Sequence, residues 1–168
     1  MTDLAIRLAT ASDAATVLRF IQALADYEKL SHMVVATEDA VRATLFGPRP
    51  AAEVLFAERG GAPVGFALFF QSYSTFLAKP GLYLEDLFVM PQERGRGAGL
   101  MLMTALAKLC VERDYGRFEW AVLDWNAPSI EFYKRLGAVE LTEWNVMRLV
   151  GDPLVALAEV RRASRSES

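Results

Sequence analysis

Residues 82–107 read LYLEDLFVMPQERGRGAGLMLMTALA. An apolar run is cut by Pro91, glycines follow at alternate positions (Gly95, Gly97, Gly99), and a second apolar stretch then keeps a helical spacing. This order predicts a strand over Leu82–Met90, a loop over Pro91–Gly97 and a helix from about Gly99 to Arg113. Glycines let a backbone approach a ligand closely, and the first N–H groups of a helix attract an anion. Arg94 and Arg96 add positive charge to the same turn. A plain strand-to-helix turn with solvated arginines is the competing reading, and these residues alone do not separate the two.

The flanking sequence organises around this unit. Asp3–Leu8 reads as a first strand, and Ser12 or Asp13 as the cap of a helix reaching about Leu30, with Val17, Phe20, Ile21, Leu24 and Ala25 on its apolar face. Thr37 caps a shorter helix to about Phe46, stopped by Gly47-Pro48-Arg49-Pro50. EVLFAE (53–58) and VGFALFF (64–70) form a hairpin across Arg59–Pro63. Phe118–Leu123 reads as a strand, Pro128–Leu136 as a helix, Ala138–Leu141 and Val146–Val150 as two short strands, and Pro153–Val160 as a last helix. The order β-α-α-β-β-β-α-β-α-β-β predicts a mixed, mostly antiparallel sheet with helices on both faces, in one domain over residues 1–160. The polar tail, residues 161–168, is expected to be disordered.

Composition removes several classes. Hydrophobic residues make up 53 %, above the roughly 45–50 % of ordinary domains. A doubly covered sheet or an interface absorbs such an excess. A membrane span does not, because the apolar helix pattern over residues 98–107 is half the length of about 20 that a span needs. No basic region followed by an apolar run opens the chain, so no signal peptide is expected. A single cysteine, Cys110, excludes an internal disulfide, and a single histidine, His32, leaves no histidine-based metal cluster. A net charge of −3 argues against nucleic acid. The expectations are a cytoplasmic protein with neither metal, membrane nor nucleic-acid partner.

Two phosphate motifs fail on the glycine loop. No Gly-Lys pair exists for a nucleoside-triphosphate loop, and Leu100 and Leu102 stand where a dinucleotide fingerprint needs glycine. The pattern [Q/R]-x-x-G-x-[G/A] does fit, as Arg94-Gly95-Arg96-Gly97-Ala98-Gly99. It resembles the pyrophosphate loop of the GCN5-related N-acetyltransferases. LYLEDLFVMP (82–91), AVLDWN (121–126), FYKRLGA (132–138) and LADYEKLS (24–31) resemble, in the same order, segments of the spermidine/spermine and thialysine branch of that family. YSTF (73–76) leans to the thialysine side. Ser74–Pro80 holds no carboxylate, a departure from the polyamine enzymes.

The resemblance implies the acetyl-CoA N-acyltransferase fold, acetyl-CoA as cosubstrate, a small cationic amine as acceptor and a homodimer. It implies that Leu87, Phe88 and Val89 meet the pantetheine arm, that Arg94 to Leu100 (Arg94, Gly95, Arg96, Gly97, Ala98, Gly99, Leu100) cradle the pyrophosphate, and that Asn126, Ser129 and Tyr133 complete the cofactor site. Tyr27 and Glu28 would line the acceptor pocket.

The chemistry then asks for named groups. An alkylammonium, with a pKa of about 10.4, must lose its proton before it attacks. Glu85, in an otherwise apolar strand, is the candidate base, with desolvation expected to raise its pKa. In a regular pleat its neighbour Asp86 faces the other way and is read as structural. Tyr133 is the candidate acid for the leaving thiolate, and the N–H of Phe88 or Val89 the candidate oxyanion donor. Cys110 lies mid-helix and no G-x-S-x-G elbow occurs, so direct attack is expected rather than an acetyl-enzyme. A protein lysine or N-terminal acetyltransferase and a non-catalytic acyl-CoA sensor are the alternatives.

Overall fold

A computed structural model describes residues 4–159. Asp3, Val160 and the tail at 161–168 lie outside the described residues. These fall into two compact units, one ending at Ala121 and one beginning at Val122.

In the first unit, strands β1 (Leu4–Leu8), β2 (Glu53–Arg59), β3 (Ala62–Ser74), β4 (Lys79–Val89) and β5 (Phe118–Trp120) form one sheet in the order β1-β2-β3-β4-β5. The first three pairings are antiparallel and β4–β5 is parallel. Helices α1 (Ala14–Tyr27), α2 (Glu38–Phe46) and α3 (Ala98–Glu112) complete the unit. This is the expected mixed sheet.

The strands are apolar on both faces because both are covered. Ala14, Val17, Phe20 and Leu24, spaced three and four apart on α1, pack with Val54, Phe56, Phe66 and Phe88. The Phe20 ring lies 5.7, 5.2 and 6.4 Å from those of Phe56, Phe66 and Phe88. Leu55 and Ala57 alternate with Val54 and Phe56 along β2 and are buried too, on the opposite face. Against that face α3 lays Ala98, Leu102, Met103, Leu106 and Cys110, all buried. Burial raises the Cys110 thiol pKa, in keeping with a packed side chain.

Helix starts follow the sequence in one case and depart from it in another. Thr37 caps α2, its hydroxyl accepting from the Ala40 N–H at 3.2 Å. Asp13 stands before α1 but makes no such cap. Its carboxylate instead accepts from the Thr10 N–H at 2.7 Å and takes two bonds from Arg7, at 2.8 and 2.9 Å. The Arg7 guanidinium, ahead of the opposing effect of burial, holds Asp13 down at a pKa of about 2. The helix ends at Tyr27 rather than Leu30, because Lys29 turns left-handed (φ 62°) and the Leu30 N–H closes back on the Ala25 carbonyl at 2.8 Å.

In the second unit, α4 (Ala127–Arg135) is followed by irregular chain and α5 (Asp152–Ala158). The expected strands at Ala138–Leu141 and Val146–Val150 do not form. The expected strand over Phe118–Leu123 also stops early, since β5 ends at Trp120. Alternating apolar residues express a preference for a pleated surface, and a strand still needs a ladder partner. Here Val139, Trp144, Val146 and Met147 stand exposed.

Candidate active site

The site grows from an interruption in β4. Leu68 on β3 pairs with Asp86, but Phe69 pairs with Leu84. Glu85 is therefore an extra residue, a β-bulge, and the pleat restarts one position out of phase. Residue parity alone would put Leu84, Asp86 and Phe88 on one face. The bulge separates Leu84, which pairs with Phe69, from the other two, and Asp86 stays with Phe88, Phe66 and Leu68 on the face covered by α1. Glu85 is left exposed. Asp86 is the more buried of the two carboxyls. Burial first, then the nearby charges of Glu85 and Glu28, raise the Asp86 pKa to about 6. Asp86, read from the sequence as structural, thus faces α1 together with Phe88. No sequence pattern announces a bulge; adjacent carboxylates in an apolar strand were the only signal available.

The bulge coincides with a parting of strands. β4 and β5 pair only at Leu82–Phe118, Tyr83–Glu119 and Leu84–Trp120. Beyond Leu84 no strand among the described residues lies beside this edge of β4. The Met90 N–H bonds β3 through the Val64 carbonyl at 2.9 Å. Antiparallel strands alternate the direction of their backbone groups, so those of Val89 and Leu87 point away from β3, along the open edge. The Val89 carbonyl there accepts from Arg94 Nε at 3.1 Å. Of the two oxyanion candidates, Val89 has its N–H on the open side. Phe88 is turned inward, with 4 % of its surface exposed.

After a single turn at Pro91–Glu93 the chain enters the glycine loop. Gly95 and Gly97 take φ of 73° and 92°, the left-handed region that favours glycine. Open space surrounds the position of a Cβ at each. Gly97 stands immediately before α3, whose first residues are Ala98, Gly99 and Leu100. Ala98 is buried and Leu100 is half exposed. The first N–H groups of a 15-residue helix thus follow a bare, open turn. Arg96 is bound to Glu93 at 2.7 Å, and Glu93 is also held by Arg59 at 2.7 Å. Arg59 reaches the Arg96 carbonyl at 3.2 Å as well. Arg94 takes a different course, with its guanidinium 4.4 Å from the centre of the Tyr27 ring.

The end of α1 faces this edge. The Tyr27 ring lies 6.4 Å from that of Phe88. Glu28 follows Tyr27, and burial raises its pKa. Tyr27, Glu28 and Arg94 thus meet at the end of α1, and the charges of Glu28 and Glu85 reach Asp86. Negative charge there is poorly solvated, and a cation relieves it.

The remaining predicted residues belong to the second unit. Asn126 is buried and caps α4, with its Oδ1 accepting from the Ser129 N–H at 3.4 Å. Tyr133 lies two turns into α4, its ring 5.4 Å from Phe132, and its carbonyl accepts from the Ala138 N–H at 3.1 Å. Among the described residues no group of three or more histidine, cysteine or acidic side chains could hold a metal ion.

Comparison with known proteins places this geometry. The acetyltransferase (GNAT) family model matches residues 21–138. A thialysine N-epsilon-acetyltransferase of Mus musculus is 39 % identical over 169 residues, covering 94 % of this chain and 99 % of that protein. An L-ornithine N5-acetyltransferase of Arabidopsis thaliana is 35 % identical over 197 residues, covering 90 % and 86 %. Among solved structures, an integron cassette protein from the mobile metagenome of V. cholerae superposes with a TM-score of 0.79 at 25 % identity, covering 95 % of this chain and all of that one. An aminoglycoside acetyltransferase from an uncultured soil metagenomic sample gives 0.75 at 17 % identity, over 88 % and 97 %, and shares the fold.

Proposed function

The chain belongs to the acetyltransferase (GNAT) family and is an N-acetyltransferase; from that premise we propose that it moves an acetyl group from acetyl-CoA by direct attack of a small cationic amine, of the thialysine, ornithine or diamine kind. The observation that carries the reading is the acidic corner at the parting of β4, where burial and the charges of Glu85 and Glu28 push the Asp86 pKa up to about 6. An alkylammonium fits such a corner by charge and by its ring-lined wall.

The residues present fit acetyl-CoA. The open edge at Leu87 and Val89 offers backbone groups to a peptide-like arm. The glycine loop and the α3 N-terminus offer N–H groups to a pyrophosphate. The cosubstrate supplies the thioester carbonyl and a thiolate leaving group. Glu85, exposed at the bulge, draws the ammonium in. Asp86 takes the amine proton, directly or through water. Its raised pKa makes it a stronger base than an ordinary aspartate. The Val89 N–H is placed to stabilise the developing oxyanion. Asn126 and Ser129 hold the cofactor side, and the Tyr133 hydroxyl protonates the departing thiolate. The new C–N bond replaces the C–S bond, the second amine proton, released as the intermediate collapses, restores the Tyr133 hydroxyl, and the proton on Asp86 returns to solvent. No metal takes part in this scheme. We place the work in the cytoplasm, in a homodimer.

CoA release from acetyl-CoA, measured against thialysine, ornithine, lysine and diamines, tests the reading. Turnover with at least one is expected, and Tyr133→Phe should slow it by roughly 10²-fold or more. Tight acetyl-CoA binding without turnover on any amine would favour the sensor. Turnover confined to a lysine-bearing peptide would favour the protein acetyltransferase.

A further inference from the structure

Arg94 does not lie along the glycine loop that it opens. Its guanidinium carbon sits 4.4 Å from the centre of the Tyr27 ring and 5.5 Å from that of Phe88. Its Nε donates to the Val89 carbonyl at 3.1 Å. Glu28 adjoins Tyr27, and its charge reaches Asp86. Two aromatic faces make a cation site. The chain's own cation already fills it, at the end of α1 next to the place read above for the acceptor ammonium. Arg94 also engages a carbonyl on the strand edge read as the pantetheine contact.

The neighbouring arginine is arranged differently. Arg96 is tied to Glu93, and Glu93 is held again by Arg59. Arg94 has no ion pair among the described residues and is exposed, so little holds it beyond the rings and one carbonyl. A cation over a ring at an exposed site gains roughly a two- to fivefold preference per ring. A charge-assisted bond to a pyrophosphate is stronger.

We infer that Arg94 is a gate cation, which holds the Tyr27–Phe88 site and the Val89 carbonyl while the loop is free and leaves both for the loop's anionic ligand. The inference rests on the acetyl-CoA and amine reading of this site. Its consequence is that nucleotide and amine bind cooperatively. Departure of Arg94 vacates a place for an alkylammonium, and by linkage the amine strengthens nucleotide binding equally.

Calorimetry with CoA, thialysine and ornithine tests it. In the wild type, saturating CoA should tighten amine binding roughly five- to twentyfold, the preference of a cation for two rings. In Arg94→Gln the amine should bind the CoA-free protein several-fold tighter than it binds wild type, with coupling within about twofold of unity. Arg94→Lys keeps the charge without the planar stack and should show intermediate coupling. Tyr27→Leu reads the gate from the other side. Freed of its clamp, Arg94 should give tighter CoA binding. Wild-type coupling retained in Arg94→Gln, or CoA affinity unchanged or lowered in Tyr27→Leu, would overturn the gate while leaving the enzyme reading intact. Failure of CoA-loaded wild type to bind either amine, together with no turnover on any amine of the panel, would overturn both.

Discussion

At the residue scale the chemistry turns on Asp86. A carboxyl raised to about 6 from 3.8 by burial and by Glu85 and Glu28 opposes folding once it ionises. Between those two values the folded state binds more protons than the unfolded one. Stability therefore falls as pH rises through that window, and the loss is complete above about 6. Asp86→Asn removes the titrating group. Its stability should nearly match wild type near pH 4 and exceed it near pH 7 by about 2–3 kcal/mol, read as a higher melting temperature. Equal stabilities at both pH values would show that Asp86 is not the strained group. The sequence pointed to Glu85 as a carboxylate in an otherwise apolar strand, and the family resemblance favoured it. The glycine loop, Thr37 and Asn126 were legible because turn and cap chemistry is local. Asp86 and the posture of Arg94 were not, since each depends on a register or a contact between distant segments.

At the element scale, β4 shows what periodicity can and cannot give. Its existence, the turn at Pro91 and the start of α3 follow from short-range signals. The bulge at Glu85 does not, because it is a property of the β3–β4 ladder. The two late strands fail for a related reason: Ala138–Leu141 and Val146–Val150 have strand-like composition but no partner in their own unit. The end of α1 carries a separate test. Lys29 holds a left-handed conformation at φ 62°, which costs a side-chain-bearing residue about 1 kcal/mol relative to glycine. Lys29→Gly should raise stability by about 0.5–1 kcal/mol, seen as a higher melting temperature by about 2–3 °C. A lower melting temperature would mean that the lysine side chain supplies more than the strain removes.

At the scale of the whole molecule, the surplus of apolar residues is only partly spent on the two faces of the sheet. Val139, Trp144, Val146 and Met147 remain exposed, at 83, 70, 81 and 89 %. Apolar groups of that number call for a covering surface, which supports the proposed homodimer. Size-exclusion chromatography with light scattering should give twice the 18.6 kDa chain mass. A mass of one chain at micromolar concentration would remove the dimer. The fold class was legible because both faces of the strands read apolar and the element order is distinctive, whereas assembly leaves no comparably local mark. The central claim is that a poised carboxyl at the parting of β4 takes the proton of an amine acceptor. It is tested most directly by the pH dependence of kcat/KM for acetyl transfer to thialysine or ornithine, in wild type and Asp86→Asn. An acidic limb with a midpoint near 6, absent from an Asp86→Asn enzyme slowed by roughly 10²-fold or more, is the predicted result. A variant with wild-type rates and the same acidic limb would contradict it.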